Sequence, residues 1–567
     1  MTSLNLRRQI WLVAICSLCF LSSAGTGQTP FYVNAQMPWH DAVLDSHEKL
    51  LAWYHPEKNL GYDQVLRLTW DFLEHKVPVD NKKGTGLKIY LAFPIFEEDS
   101  LQGVNYQHNP ASTYAHFADE VVGWYAYAGD DAAVGVVREM LDYQLSHGTT
   151  PSDWDWPGVP FATSCAGDKD YGRCISDMPR EFYGGIETDK VAELGLGYVE
   201  FYELTGERKY LEAGLRCAQA LAKHVRSGDA EHTPWPFRVN AHTGEVLAGE
   251  EFGGMIVASV RLFEELNRLH AGDSESFRNA RDLAWNWILS FQLAENPTID
   301  RWSGYYEDVP KDFLNVNDQS AMMTAYYILT HADPASLDPN PTSLHSWQTH
   351  VGYLLDRSKG MLGRGPFFGA WAIDEQQHAL IAVPGLSGQS CCSRAGLSCR
   401  TAAWGAINAM YYERTGDGSA KENAFRSLNY ATYFMSSDGK FACCGVSHGS
   451  TYWFEDGYAD AGRNLMWALG AVPEFAPIGQ NHVLRSSSVV QKVKYGQRSV
   501  EYETFDSEGV AVLRLNFKPQ RVMAGGKALS QRNDLQQPGY TVEPLTGGDY
   551  VVRVHHSESK QVAVSGS

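Results

Sequence analysis

The sequence predicts a mainly α-helical protein: a ring of six helical hairpins followed by a small antiparallel β-domain. Three observations predict it. One two-helix design, built around a tight Gly-Asp or Gly-Glu turn, recurs along the chain. Long connections separate the copies. After Val472 the texture changes from helical spacing to short alternating runs.

The clearest copies read VVGWYAYAGDDAAVGVVREML, GYVEFYELTGERKYLEAGLRCAQAL, SVRLFEELNRLHAGDSESFRNARDLAWNWI and AINAMYYERTGDGSAKENAFRSLNYA. Apolar residues recur at three- and four-residue spacings on both sides of each turn, as amphipathic helices require. Gly129, Gly206, Gly272 and Gly416 fall where a helix ends in the left-handed region, and the acid beside each suits the next helix start. A fifth turn, THADPAS, follows the run SAMMTAYYIL. The first pair is read as AVLDSHEKLLAWY (42–54) and YDQVLRLTWDFLEHK (62–76), joined through Asn59, Leu60 and Gly61.

Between hairpins lie connections at about 78–108, 148–187, 227–249, 294–317, 358–390 and 436–457. A ring of hairpins puts the short turns on one face and the long connections on the other. Each long connection that pairs aromatics with acids therefore points at the same end. These clusters are PSDWDWPGVP (151–160), RWSGYYEDVP (301–310), GAWAIDEQQ (369–377) and STYWFEDG (450–457), with TPWPFR (233–238) a similar aromatic cluster that carries an arginine instead of an acid. Loops of this length inside a compact domain are usually functional.

The remaining ends fill in the organisation. Arg7 and Arg8 precede an apolar run from Ile10 to about Leu21, with small residues around Ala24. This is the pattern of a secretory signal peptide over 1–24, shorter than the ~20 apolar residues that span a bilayer. An exported protein, secreted or periplasmic, is expected. VEYETF, VAVLRLNF and DYVVRVHH read as strands and place the β-domain over 478–567. A formal net charge of −20 argues against nucleic acid and anionic membrane as partners. Sixteen Trp and 29 Tyr are a rich supply of flat faces for stacking on sugars.

Hairpins with turns of the type YELTGERKYLEAGLRCA resemble the six-hairpin glycosidase superfamily, the (α/α)6 toroid, over residues 45–472. The resemblance implies an oligo- or polysaccharide substrate held in a cleft at one end of the ring. It leaves hydrolysis, elimination and epimerisation open.

Glycoside hydrolysis normally takes two carboxyl groups, one donating a proton to the leaving oxygen and one acting as base or nucleophile. Asp308 and Glu455 are the leading candidates, because each follows adjacent aromatics that would raise a carboxyl pKa. Glu307, Asp456 and Asp189 stand behind them, Asp189 also being placed to cap its helix. Glu250 and Glu251 are read as opening the next helix. Trp154, Trp156, Trp235, Trp302, Tyr305 and Trp453 are candidate sugar platforms. Arg238 and His448 are candidate substrate contacts, with a structural salt bridge the alternative for Arg238. The leading reading, a glycoside hydrolase, requires no cofactor.

The cysteines carry a second chemistry. Cys165 and Cys174 flank a short polar loop and suit a disulfide in an oxidising compartment. Cys217 lies inside a helical run as a buried thiol. The stretch from GQSCCSRAGLSCR to KFACCG resembles the zinc-containing β-L-arabinofuranosidases of the same superfamily. The resemblance implies Zn2+ on Cys391, Cys443 and Cys444, with one cysteine as nucleophile. Gln389 stands where that family has a Glu ligand; Cys392, Glu375 or His448 could replace it. The alternative is disulfides between the two loops. A lyase using Tyr305 or Tyr306, His232 or His448, and Arg238, and a non-catalytic glycan-binding protein, are the remaining readings.

Overall fold

The computed structural model describes residues 39–79, 86–88, 95–97, 100–101, 110–162, 184–247, 249–293, 319–340, 342, 345–360, 362–364, 370–372, 398–441 and 451–566. Among them are twelve α-helices. These are α1 (Gly61–Asp71), α2 (Pro110–Ala128), α3 (Asp131–His147), α4 (Thr188–Thr205), α5 (Arg208–His224) and α6 (Val257–Arg268). The series continues with α7 (Ser274–Trp287), α8 (Gln319–Thr330), α9 (Trp347–Gly360), α10 (Ser398–Thr415), α11 (Gly418–Thr432) and α12 (Ala461–Ala471).

Burial sorts the helices into two rings. In α10 every residue from Ser398 to Met410 is buried, whereas α5 buries one stripe around Tyr210, Gly214, Cys217 and Leu221. A helix buried all round lies inside and an amphipathic one outside. The inner layer is α2, α4, α6, α8, α10 and α12, each packed on the next and α12 packed back on α2. Close approach needs small residues here: a Cβ on Gly197 of α4 would stand 3.2 Å from Ala115 Cα and Ala118 Cβ of α2.

The repeated turn works as its residues require. Gly129, Gly206, Gly272 and Gly416 have φ between 71° and 77°, the left-handed region where a side chain is strained. Asp130, Asp273 and Asp417 then cap the following helices by accepting amide N–H bonds from Ala132, Ser276 and Ser419. Inner helices thus end at the short-turn face and begin at the long-connection face.

The first hairpin differs from expectation. Residues 42–54 form no helix; Leu44 and Leu50 pair in an isolated bridge, and Glu48 has φ 57°. The Asp45 carboxylate accepts the amides of His47 and Lys49, a local turn that competes with helix. The strap is bound instead to α11 and the residues just after it: Arg426 and Asn429 donate to the Leu50 carbonyl, and the Trp53 indole donates to Thr432. The missing strut is supplied from the far end of the chain, as α12 completes the ring beside α1.

The long connections meet one another. Strand β1 (Ile95–Glu97) pairs antiparallel with β6 (Thr451–Trp453). Strand β2 (Gly185–Glu187) pairs with β3 (Arg238–Asn240), and β4 (Leu362–Arg364) with β5 (Ala370–Ala372).

Residues 482–566 form two antiparallel sheets facing each other across a Val-rich core. One sheet comprises β7 (His482–Ser486), β10 (Gly509–Leu515), β13 (Gly539–Pro544) and β14 (Tyr550–His556). The other comprises β8 (Val490–Gly496), β9 (Ser499–Thr504), β11 (Pro519–Ala524), β12 (Lys527–Ala528) and β15 (Gln561–Gly566). Alternation decides the inward face: Val552 and Val554 are buried, as are Val562 and Val564.

The sandwich closes the short-turn end of the ring. His482 stacks on Tyr127 at 3.8 Å, Gln491 Nε2 donates to the Glu203 carbonyl, and Arg485 forks onto Glu413 at 2.6 and 2.7 Å. Each ring partner lies in the last turns of α2, α4 or α10. Arg514 fixes the linker by bonding Asp549 and the carbonyls of Pro473, Glu474 and Ala476. The opposite end is the one left for entry.

Candidate active site

The inner helices surround a small recess in the toroid. It is lined by His116 and Asp119 of α2, Glu193 and Glu200 of α4, Arg261 of α6, and Arg463 of α12, with Met323 of α8. Most of these fall in the first half of their helices, toward the long-connection end. Glu193 and Glu200 are seven residues apart and so share one face of α4.

Two arrangements of charge stand out. Asp460, just before α12, is clamped: Arg463 Nε donates to Oδ1 at 2.8 Å and Arg400 Nη1 to Oδ2 at 3.0 Å. Burial alone would push this carboxyl up, but the Arg463 and Arg400 guanidinium groups hold it well below the usual range. Arg463 also reaches Asp119 Oδ2 at 3.4 Å, so the clamp fixes that acid in the recess. Glu193 is held by Lys190 at 3.2 Å and accepts from Ser112 Oγ at 3.3 Å.

Glu200 is held by much less. Among the described residues its one ion pair is to Arg261, at 3.6 Å, and its side chain keeps 19% of its surface exposed. Burial, reinforced by the neighbouring Asp119 charge, pushes its pKa up to about 8. A carboxyl group protonated at neutral pH thus shares a recess with an arginine-held aspartate. His116 is kept well below its ordinary value by burial and by Arg463, so it is neutral. Beyond the recess, Tyr326 stacks on Trp467 at 3.8 Å, with Arg261 over the tyrosine and Arg463 over the tryptophan.

The candidates read from the sequence distribute differently. Asp189 lies in the first turn of α4, largely buried, with Oδ1 accepting the Lys190 amide. Trp154 is half-buried in a long connection, edge-on to Phe161 and tilted over His242. Trp156 and Trp235 are corrected from sugar platforms to core. Trp156 is 2% exposed and stacks on His224, and Trp235 is 1% exposed with its indole donating to the Leu221 carbonyl. Arg238 is a structural ion pair rather than an open contact: it is buried, bonds Glu187 Oε1 at 2.8 Å, and lies 3.8 Å from Glu250. Glu250 and Glu251 precede α6 by several residues instead of opening it. Cys217 is a buried free thiol, and Cys399 is buried as well.

Trp453 ends β6, and Glu455 and Asp456 fall in the π-helical turn Phe454–Asp460 leading into α12, described by backbone course. Glu307, Asp308, Trp302, Tyr305, Tyr306, Glu375 and His448 lie outside the described residues, as do Cys165, Cys174, Cys391, Cys392, Cys443 and Cys444. Asp119, Glu193, Glu200, Arg261 and Arg463 were missed by reading acids in loops. Their signal is a charge inside an otherwise apolar, small-residue helix, as in TYAHFADEVVGWY and KVAELGLGYVEFYEL.

No protein-family model matches the chain, and no curated protein matches it. Solved structures do. A sugar epimerase from a ruminal bacterium aligns with a TM-score of 0.50 at 10% identity, over 72% of this chain and 98% of that one. A D-mannose isomerase gives 0.48 at 12% identity over 73% and 96%, and an alpha-1,2-mannosidase from Trichoderma reesei gives 0.41 at 12% over 73% and 93%. The likeness is one of fold. The chain has an (α/α)6 toroid fold carrying a C-terminal β-sandwich.

Proposed function

We propose that the protein is an exported glycan-acting enzyme, a glycoside hydrolase whose acid–base chemistry lies in the toroid recess. The carrying observation is Glu200, a carboxyl raised to about 8 beside the Arg463-held Asp119. In this reading Glu200 donates a proton to the departing glycosidic oxygen. Asp119, the anionic partner, activates water or attacks the anomeric carbon. Glu193 and Arg261 hold sugar hydroxyls. Asp308 and Glu455, which the sequence reading assigns to long connections, are proposed to contact outer sugar units. The Arg7–Arg8 leader supports export, and zinc at the cysteine pairs belongs to the alternative cysteine-glycosidase reading.

His116 supports a second reading. A buried neutral imidazole in the recess is equipped to take a proton from carbon, as an epimerase or isomerase would require. One experiment separates the two. Oligosaccharides are incubated with the protein in D2O and followed by NMR. New reducing ends that vanish in E200Q and D119N support hydrolysis. Deuterium gained at carbon without cleavage, lost in H116A, overturns it in favour of epimerisation.

A further inference from the structure

We propose a structural site for a divalent first-row transition ion, zinc by preference, at Asp338, His345 and His350. It lies outside the lumen, in the link between α8 and α9, and is independent of the functional reading above. His350 Nε2 stands 3.1 Å from Asp338 Oδ2, and His345 Nδ1 stands 3.9 Å from the same oxygen. One donor atom from each residue falls within 4.8 Å of the others. Tetrahedral zinc with bonds of about 2.0–2.1 Å needs ligands about 3.4 Å apart, which these separations straddle.

The three donors are oriented by their surroundings. Asp338 Oδ1 is occupied by the Asn340 amide at 3.0 Å, leaving Oδ2 turned toward both imidazoles. The preceding carbonyl, of Leu337, accepts the Trp285 indole N–H of α7. His350 is fixed on the first turns of α9, where the Ser346 hydroxyl accepts the Thr349 amide, and the His345 amide donates to Thr342 O at 3.1 Å. Such supporting bonds are what hold metal ligands in place. Exposure is graded: the His350 side chain is 7% exposed, Asp338 13% and His345 32%, so the ion would be reached from the His345 side with its fourth position open to water. Two imidazoles and one carboxylate select a transition ion over Ca2+ or Mg2+.

The placement gives the site a purpose. Four hairpin turns are closed by a positive-φ glycine within a few residues, but the α8–α9 link runs from about 331 to 346 without that device. A longer link costs more closure entropy, and a clip across it recovers the loss. The ion would staple the start of α9 to the loop that precedes it.

The test uses the full chain, stripped with chelator and titrated with Zn2+ while binding and Tm are followed. A parallel sample carries C391S, C392S, C443S and C444S to remove thiol sites. The expected result is one zinc retained in the thiol-free protein, a Tm that rises to saturation at one equivalent, and no response to Mg2+. H345A, at the most exposed ligand, should keep the metal-free Tm yet bind at least about tenfold more weakly. Should H345A lower the metal-free Tm, Co2+ decides. An N/O-ligand spectrum without thiolate charge transfer, absent in D338N, supports the site. No zinc binding in the thiol-free protein, or binding unchanged in H345A and D338N, overturns it.

Discussion

Asp460, buried just before α12, and Glu200, in the recess, are both largely removed from water, yet they end in opposite protonation states. Asp460 receives arginine N–H groups on both oxygens and stays ionised. Among the described residues Glu200 forms an ion pair with Arg261 alone, at 3.6 Å, while Asp119 adds like charge, and it holds its proton to about pH 8. Burial alone therefore does not set the charge; partner geometry does. The first arrangement is architecture, because it fastens α10 to the start of α12. The second has the loose coordination a proton donor needs.

The sharpest way to break this comparison is E200Q. Replacing the proton donor with an amide should lower kcat by roughly 10²–10⁴-fold and leave the melting transition in place. A variant as active as the parent would remove Glu200 from the chemistry. D460A should do the reverse and cost stability first. It leaves two buried guanidinium groups without their shared carboxylate, a loss on the order of 3–5 kcal/mol in urea unfolding. An unfolding midpoint within error of the parent would show that the clamp carries no weight.

A third test follows the proton. If Glu200 acts as the acid, kcat/KM should fall about tenfold per pH unit above about 8, the value its surroundings impose. A profile flat to pH 10 would contradict that role.

The smallest effect is expected at Glu120. The residue is 1% exposed, both carboxyl oxygens are buried without a hydrogen bond among the described residues, and burial with the Asp119 charge holds its pKa well above normal. It is protonated when folded and ionised when unfolded at neutral pH, so unfolding releases a proton. Stability should therefore fall as pH rises above the ordinary carboxyl value, toward the raised folded one. E120Q should flatten that slope in denaturant midpoints taken across pH 5–9, and an unchanged slope would assign the dependence elsewhere.

What the sequence made legible follows from which physics is local. The turns at Gly129, Gly206, Gly272 and Gly416 depend on a few adjacent residues, so they could be read directly. The strap at 42–54 has apolar residues at helical spacing, but its partners lie nearly 400 positions away on α11 and just beyond it, which no window contains. Trp156 and Trp235 show the limit of composition: an indole packed into the core and one waiting for a sugar look alike in a list of residues. The inner helices carry the same ambiguity. Buried on most sides in α2, α4, α8, α10 and α12, they give little period to tell the lumen face from the packing face. Only charges embedded in Ala- and Gly-rich runs marked Asp119 and Glu200.

The way the ring is completed bears on how the chain comes to be folded at all. The inner seam beside α2 stays open until α12 exists, and those segments are separated by more than 330 residues. During synthesis α2 must wait with an apolar flank uncovered. Contacts of such long range are slow to form and leave intermediates prone to aggregate. Joining the natural ends and reopening the chain in the α8–α9 link would bring α12 and α1 into one early-folding unit, so refolding yield should be limited by when that seam is sealed.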